Sequence, residues 1–203
     1  MVLDKARNRS AFLVDGVASR LENVNPNSIT LISFFFAILF AVSYYVASSR
    51  YFEFLIVAFV LLIASSYLDA LDGAVARKFK KESKKGDFLD HLLDRYSDFI
   101  ILFGMTISVF GNLYFGIIAI AGTFLSSYVG TQSQAVGLSR IYSGFPGRAD
   151  RLVIIMLVII IQIFTNRIPI FGYYITSWAL LFLGAAGFVN SVYRSRLAYR
   201  SIT

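Results

Sequence analysis

Residues 28–49 read SITLISFFFAILFAVSYYVASS, an unbroken run without a charge or a proline. A bilayer core of about 30 Å is crossed by about 20 mostly apolar helical residues, so this stretch is long enough to span it. Further stretches that qualify or nearly qualify occupy 54–76, 87–110, 113–137, 149–165 and 170–193; the second, third and fourth spans begin or end with polar residues, and the fifth contains RLVIIMLVIIIQIF. Over 203 residues, 57% are hydrophobic and only 15% charged, against about 45–50% and about 25% in soluble domains. The expected fold is therefore all-α: a polytopic membrane protein with six transmembrane helices. It reads as one domain, with an interfacial segment over 1–27, the bundle over 28–193 and a tail over 194–203. Such hydrophobicity excludes intrinsic disorder. With no cysteine and one histidine, His91, disulfide, thiolate and multi-histidine metal chemistry are excluded as well.

The flanks set the orientation. Residues 1–27 carry Asp4, Lys5, Arg7, Arg9, Asp15, Arg20 and Glu22 without an apolar core, unlike a cleavable signal peptide. Leu3, Ala6, Phe12, Leu13, Val14, Val17 and Ala18 are interleaved with those charges, which suits a short amphipathic helix at the interface. Asn25-Pro26-Asn27 then ends that segment and starts the first span. With the N-terminus in the cytoplasm, sixteen of the lysines and arginines fall on the cytoplasmic side. Arg50 and Arg167 are outside, and Arg95 lies within span three. This bias places both termini in the cytoplasm. The net charge of +7 then reflects topology and attraction to anionic lipid headgroups, not a nucleic-acid partner.

Seven of the twelve acidic residues lie between Asp69 and Asp98, most of them at the ends of predicted spans. An ionised carboxylate there costs several kcal/mol unless partnered. Asp69 and Asp72 are spaced i,i+3 and Asp90 and Asp94 i,i+4, so each pair shares a helix face. The short connection around Lys78–Lys85 predicts that spans two and three are antiparallel neighbours, converging four carboxylates just below the cytoplasmic surface. An all-oxygen cluster selects a hard divalent cation, Mg²⁺ or Mn²⁺, and four bridging carboxylates can hold two. Gly73 within a helix costs about 1 kcal/mol relative to alanine, which points to a ligand approaching bare backbone. Ala76 keeps that face open, Arg77 offers a guanidinium one turn on for phosphate, and Gly86 spares the backbone opening span three. Asp87 reads as a helix N-terminal charge, and His91 as a packing or hydrogen-bonding residue. The competing explanation for the acids is a charged hairpin solvated at the interface.

Written as a pattern, residues 69–94 are D-x-x-D-G-x-x-A-R-x8-G-x-x-x-D-x-x-x-D. This resembles the signature of the CDP-alcohol phosphotransferases at all its fixed positions, and the six-span layout is similar too. The resemblance implies one metal ion on Asp69, Asp72 and Asp90, and a second on Asp69, Asp90 and Asp94. Asp94 would also be the general base. Gly73, Ala76 and Arg77 would hold the cytidine diphosphate part of a CDP-lipid. Ser83 and Gly86 would lie beside it, and Asn27-Ser28-Ile29-Thr30 resembles the family turn lining the donor site. Homodimers are implied as well.

For the acceptor, Arg140, Arg148 and Arg151 cluster in one predicted cytoplasmic loop. Its Gly147-Arg148-Ala149-Asp150-Arg151-Leu152 run is similar to that of inositol-phosphate-using members. Arg148 would help bind the acceptor phosphate, with Arg194 or Arg196 from the last helix. Where bacterial members have a lysine near the end of span four, this chain reads Tyr128-Val129-Gly130-Thr131-Gln132. The following Ser133-Gln134-Ala135-Val136-Gly137 is closer to archaeal members. The expectation is L-myo-inositol 1-phosphate as acceptor and CDP-archaeol as donor, with glycerol phosphate the nearest rival and serine further off. Intramembrane carboxylates also build cation or proton transporters, but these acids gather at one membrane edge instead of tracing a path.

Overall fold

The computed structural model describes residues 14–47, 52–165 and 168–202. Six long helices account for most of them: α1 (Pro26–Val46), α2 (Phe54–Lys78), α3 (Lys84–Ile107), α4 (Leu113–Ala135), α5 (Arg148–Thr165) and α6 (Ile175–Ser201). Their starts follow local chemistry. Asn25 caps α1, its side chain accepting from Asn27 N, with Pro26 at the first helical position. Ser83 Oγ accepts from Gly86 N at the start of α3, and Asn112 Oδ1 from Phe115 N at the start of α4. Asp150 Oδ2 takes the Gly147 N–H at the start of α5.

The helices pair through small residues and reciprocal polar contacts. The backbones of α4 and α6 come so close that a Cβ on Gly184 would lie 2.6 Å from Ile118 C, and one on Gly122 only 2.3 Å from Gly184 O. Such small-residue contacts are how membrane helices gain packing when lipid supplies no hydrophobic drive between them. Between α1 and α2, Ser33 Oγ donates to Ser65 O and Ser65 Oγ to Ser33 O, both at 2.9 Å. The apolar core, built on Phe40, Tyr44, Leu62, Met105, Ile159 and Leu183, sits where α1, α2, α3, α5 and α6 meet. Leu31, Phe35, Val60, Phe103, Ile117 and Val189 stay exposed on the outer faces, as lipid-facing residues would.

Among the described residues four helices, α1, α2, α4 and α6, are long and apolar enough to cross a membrane. The other two of the six expected spans fall short for a physical reason. α3 carries Asp87, Asp90, Asp94, Arg95 and Asp98, and α5 opens on Arg148, Asp150 and Arg151, so both give part of their length to polar chemistry. α6 begins at Ile175, five residues after its expected start. There Ile170 and Tyr173 exchange backbone hydrogen bonds around Phe171 and Gly172, both at positive φ. Trp178 Nε1 donates to Ile170 O beside Phe115 and Tyr173, an aromatic group at the end of the bundle opposite the carboxylates. Most of the expected N-terminal amphipathic helix, Arg50 and Arg167 lie outside the described residues. The described part is helical over 14–18, where Val14 and Ala18 pack with Ile29, Leu71, Ala74 and Val75.

Gly184→Val is expected to lower the thermal unfolding temperature in detergent by several degrees, because the new side chain meets backbone that cannot yield. Gly16→Ala, which adds a Cβ to open space, should leave it unchanged.

Candidate active site

The carboxylates converge, but not by the expected packing. α2 and α3 are not packed neighbours among the described residues. Each packs on α1 instead, leaving a gap at the lysine-rich end that acidic side chains fill from both sides. The five residues joining them, 79–83, are long enough to cross that gap without drawing the backbones together. Within it, Asp69, Asp72 and Asp90 each bring an oxygen within 4.8 Å of the others. Oxygens of Asp90 and Asp94 and a ring nitrogen of His91 form a second group within the same distance. Asp69 and Asp94 are linked by Arg148, whose Nη1 lies 2.6 Å from Asp69 Oδ2 and 2.7 Å from Asp94 Oδ1. All four predicted aspartates therefore share one place. Asp72 is 5% exposed, and its Oδ2 is buried without a hydrogen-bond partner. A buried carboxylate oxygen left unpaired beside two other carboxylates suits a cation, and the donor chemistry fits a hard divalent ion.

A cavity of about 180 Å³ opens on one side of the cluster. Asn27, Thr30, Gly73, Ala76, Arg77, Ser83 and Gly86 line it together with Asp72 and Asp90. Asn27 and Thr30, i,i+3 on α1, face it. Between them Ser28 is exposed, and Ile29 turns into the small apolar cluster with Leu71 and Val75. A Cβ on Gly73 would sit 3.1 Å from Arg77 Nη1, and one on Gly86 3.1 Å from both Asn27 Oδ1 and Ser83 Oγ. The two glycines thus leave room for these polar groups at the cavity wall. Lys81, which sequence reasoning passed over as a topology charge, also lines the cavity and donates to Glu22 O and Val24 O. It ties the segment before α1 to the α2–α3 connection.

On the other side, a cavity of about 140 Å³ is lined by Asp94 and five arginines: Arg95, Arg140, Arg148, Arg151 and Arg194. Their roles differ. Arg140 Nη1 lies 2.5 Å from His91 Nε2 and its guanidinium packs over the Tyr142 ring. Arg194 donates from Nε, Nη1 and Nη2 to the carbonyls of Ser143, Ser126 and Tyr142, so it holds the loop before α5 against α4. Arg196 is exposed and does not line the cavity. Arg151, 5% exposed, donates Nη2 to Asp98 Oδ2 at 2.6 Å. Asp98 also lies 3.5 Å from Arg95 Nη1 and 3.9 Å from Arg148 Nε, and Arg95 Nη1 donates to Ser127 Oγ. Asp98 and Arg95 were the residues that sequence reasoning missed. The available signal was spacing, since Asp98 continues the i,i+4 series from Asp90 and Asp94.

Asp98→Ala leaves buried Arg151 and Arg95 facing each other without their shared anion. Losing one partner of a buried pair costs about 3–5 kcal/mol, so the variant's unfolding midpoint should fall clearly. Replacing the pair together, Asp98→Leu with Arg151→Met, should recover most of that loss. An unchanged midpoint for Asp98→Ala contradicts the assignment.

Comparison with known proteins places this geometry. The family model described as CDP-alcohol phosphatidyltransferase matches residues 23–189. The archaetidylinositol phosphate synthase of Methanothermobacter thermautotrophicus is 32% identical over 89% of this chain and 86% of its own. That of Pyrococcus horikoshii is 29% identical over 85% of this chain and 84% of its own. Among solved structures, Mycobacterium tuberculosis phosphatidylinositol phosphate synthase with CDP-DAG bound shares the fold, with a TM-score of 0.73 over 92% of this chain and 93% of that one at 20% identity. The same protein in complex with manganese and citrate matches equally well, covering 88% of that chain.

Proposed function

The chain belongs to the CDP-alcohol phosphatidyltransferase family, and from that premise we propose that it transfers an archaetidyl-type group from a CDP-lipid to L-myo-inositol 1-phosphate, releasing CMP. The observation that carries this reading is the acidic cluster itself. It forms the wall between a cavity bordered by two glycines and a cavity lined by arginines. A nucleotide-lipid and a phosphorylated alcohol can then meet across it.

In this reading Asp69, Asp72 and Asp90 would hold one divalent ion, and Asp69, Asp90 and Asp94 would hold a second. Bound there, Mg²⁺ or Mn²⁺ supplies the positive charge that neutralises the donor diphosphate and polarises its phosphorus. Gly73 and Ala76 let the cytidine diphosphate lie against α2, and Arg77 pairs with a phosphate. Asn27, Thr30, Ser83 and Gly86 complete that cavity wall; Ser28 and Ile29 support the turn from behind. Asp94 is the carboxylate that lines the arginine cavity as well as belonging to the cluster. That suits it to accept the proton of the acceptor hydroxyl. The hydroxyl oxygen bonds to the lipid-linked β-phosphorus while the bond from that phosphorus to the CMP oxygen breaks. Arg140, Arg148, Arg151 and Arg194 supply the field for the acceptor phosphate.

The acceptor choice is supported by that concentration of arginines and by the names of the archaeal relatives, which also support an archaeol-based donor. The bundle forms a single catalytic domain with six membrane crossings, α3 and α5 crossing with their apolar halves. The lysines between α2 and α3 support a cytoplasmic position for the site and both termini. The enzyme works as a homodimer in the membrane.

Purified protein with Mn²⁺ and CDP-archaeol should release CMP with inositol 1-phosphate in preference to glycerol phosphate or serine. Asp94→Asn should lower that rate by about 10²-fold or more, the usual contribution of a positioned base. Turnover with glycerol phosphate alone reassigns the acceptor, and absence of CMP release with every alcohol overturns the reading.

A further inference from the structure

Arg148 occupies an unusual position. A single nitrogen, Nη1, lies between Asp69 Oδ2 at 2.6 Å and Asp94 Oδ1 at 2.7 Å. These are charge-assisted contact lengths, and they join the two carboxylates that a second bridging ion would need. A divalent ion held by those same two oxygens would need the space beside them that Nη1 fills. Guanidinium and ion cannot both be there: their volumes overlap and like charges repel.

Arg148 also has another place to go. It is the first residue of α5, and its side chain lines the arginine cavity as well as reaching the cluster. Its Nε is buried without a hydrogen-bond partner, 3.9 Å from Asp98 Oδ1. On its other flanks stand Arg151, paired with Asp98, and Arg95, which lies 3.5 Å from Asp98 Oδ2 and 3.7 Å from Asp94 Oδ2. The side chain therefore keeps unused donor capacity beside a cavity whose remaining lining is mostly cationic. A phosphate entering that cavity gives the guanidinium a partner other than Asp69 and Asp94.

Resting on the reading of the two cavities given above, we infer that Arg148 is a tethered cation that competes with the second divalent ion, and that a phosphorylated acceptor relieves the competition. With phosphate in the arginine cavity, Arg148 turns toward it and frees Asp69 and Asp94 for the ion. Acceptor and ion then bind with positive coupling. By linkage the ion strengthens acceptor binding by the same factor. Asp94 thus gives up its closer guanidinium contact only when an acceptor hydroxyl is at hand, while Arg95 Nη2 stays 3.7 Å from its Oδ2. An acceptor without a phosphate lacks the group that draws Arg148 away, so the device also discriminates for phosphorylated alcohols.

The test is Mn²⁺ binding to the full-length protein in detergent, read from the EPR signal of free Mn²⁺. It is run with and without inositol 1-phosphate and corrected by a protein-free titration for chelation by the phosphate itself. The wild type should bind Mn²⁺ about 5-fold or more tightly when inositol 1-phosphate is present, within the usual range of coupling. Arg148→Gln should bind Mn²⁺ tightly without it and lose the dependence. No change in the wild type, or a dependence that persists in Arg148→Gln, overturns the inference. The wild-type measurement stands by itself should the variant not fold. CMP release with inositol 1-phosphate on the same preparation separates the two readings: release without coupling removes this inference alone, and no release removes the acceptor assignment too.

Discussion

Everything in this bundle is arranged around like charges held at contact distance. Four carboxylates from two helices meet at the edge of an apolar slab, where ionised groups without partners cost several kcal/mol. α2 and α3 satisfy this constraint by standing apart. Each leans on α1, through the Ser33–Ser65 exchange and through the close passage of Gly104 against Ala41. The room between them belongs to the side chains. Compensation comes from a third direction, where α5 begins with Arg148 and Arg151. Arg148 engages Asp69 and Asp94; Arg151, with Arg95, engages Asp98. The close packing of α4 on α6 and the grip of Arg194 on the loop before α5 keep this third element in place.

That arrangement gives the acidic wall two different faces. The face toward α1 has small residues and isolated cationic groups, suited to a flat nucleotide laid against backbone. The face toward α5 is dense in guanidinium groups, suited to a compact polyanion. A transferase of the CDP-alcohol phosphatidyltransferase family needs both, because donor and acceptor must meet at one phosphorus without mixing their binding sites.

Much of this was legible in the sequence because it is local. Asp69, Asp72, Asp90 and Asp94 lie within one short window, and helical spacing already puts each pair on one face. Asn27 and Thr30 follow the same rule, which also explains why Ile29 faces the apolar cluster although it belongs to the same turn. The turn into the first helix was legible in Asn25-Pro26-Asn27, and the start at Leu113 in the hydropathy; the caps at Asn25 and Asn112 explain both starts. What escaped depended on contacts between distant residues. The short connection between α2 and α3 suggested direct packing, yet the better partner for both is α1. Arg194 was expected at the acceptor phosphate from charge alone, and its three bonds to the carbonyls of Ser126, Tyr142 and Ser143 were not legible in the sequence. The roles of Asp98 and Arg95 were missed, because Arg151, which binds Asp98, and Ser127, which accepts from Arg95, lie on other helices. The late start of α6 follows from the turn at Phe171 and Gly172, which hydropathy averages over.

The central claim is that Asp69, Asp72, Asp90 and Asp94 jointly bind divalent ions at the base of the two cavities. Crystals grown with Mn²⁺ and a CDP-lipid, measured with anomalous scattering at the manganese edge, address it most directly. The account predicts manganese peaks bounded by oxygens of these four residues. Peaks confined to other carboxylates, with the four side chains turned away from one another, would contradict it.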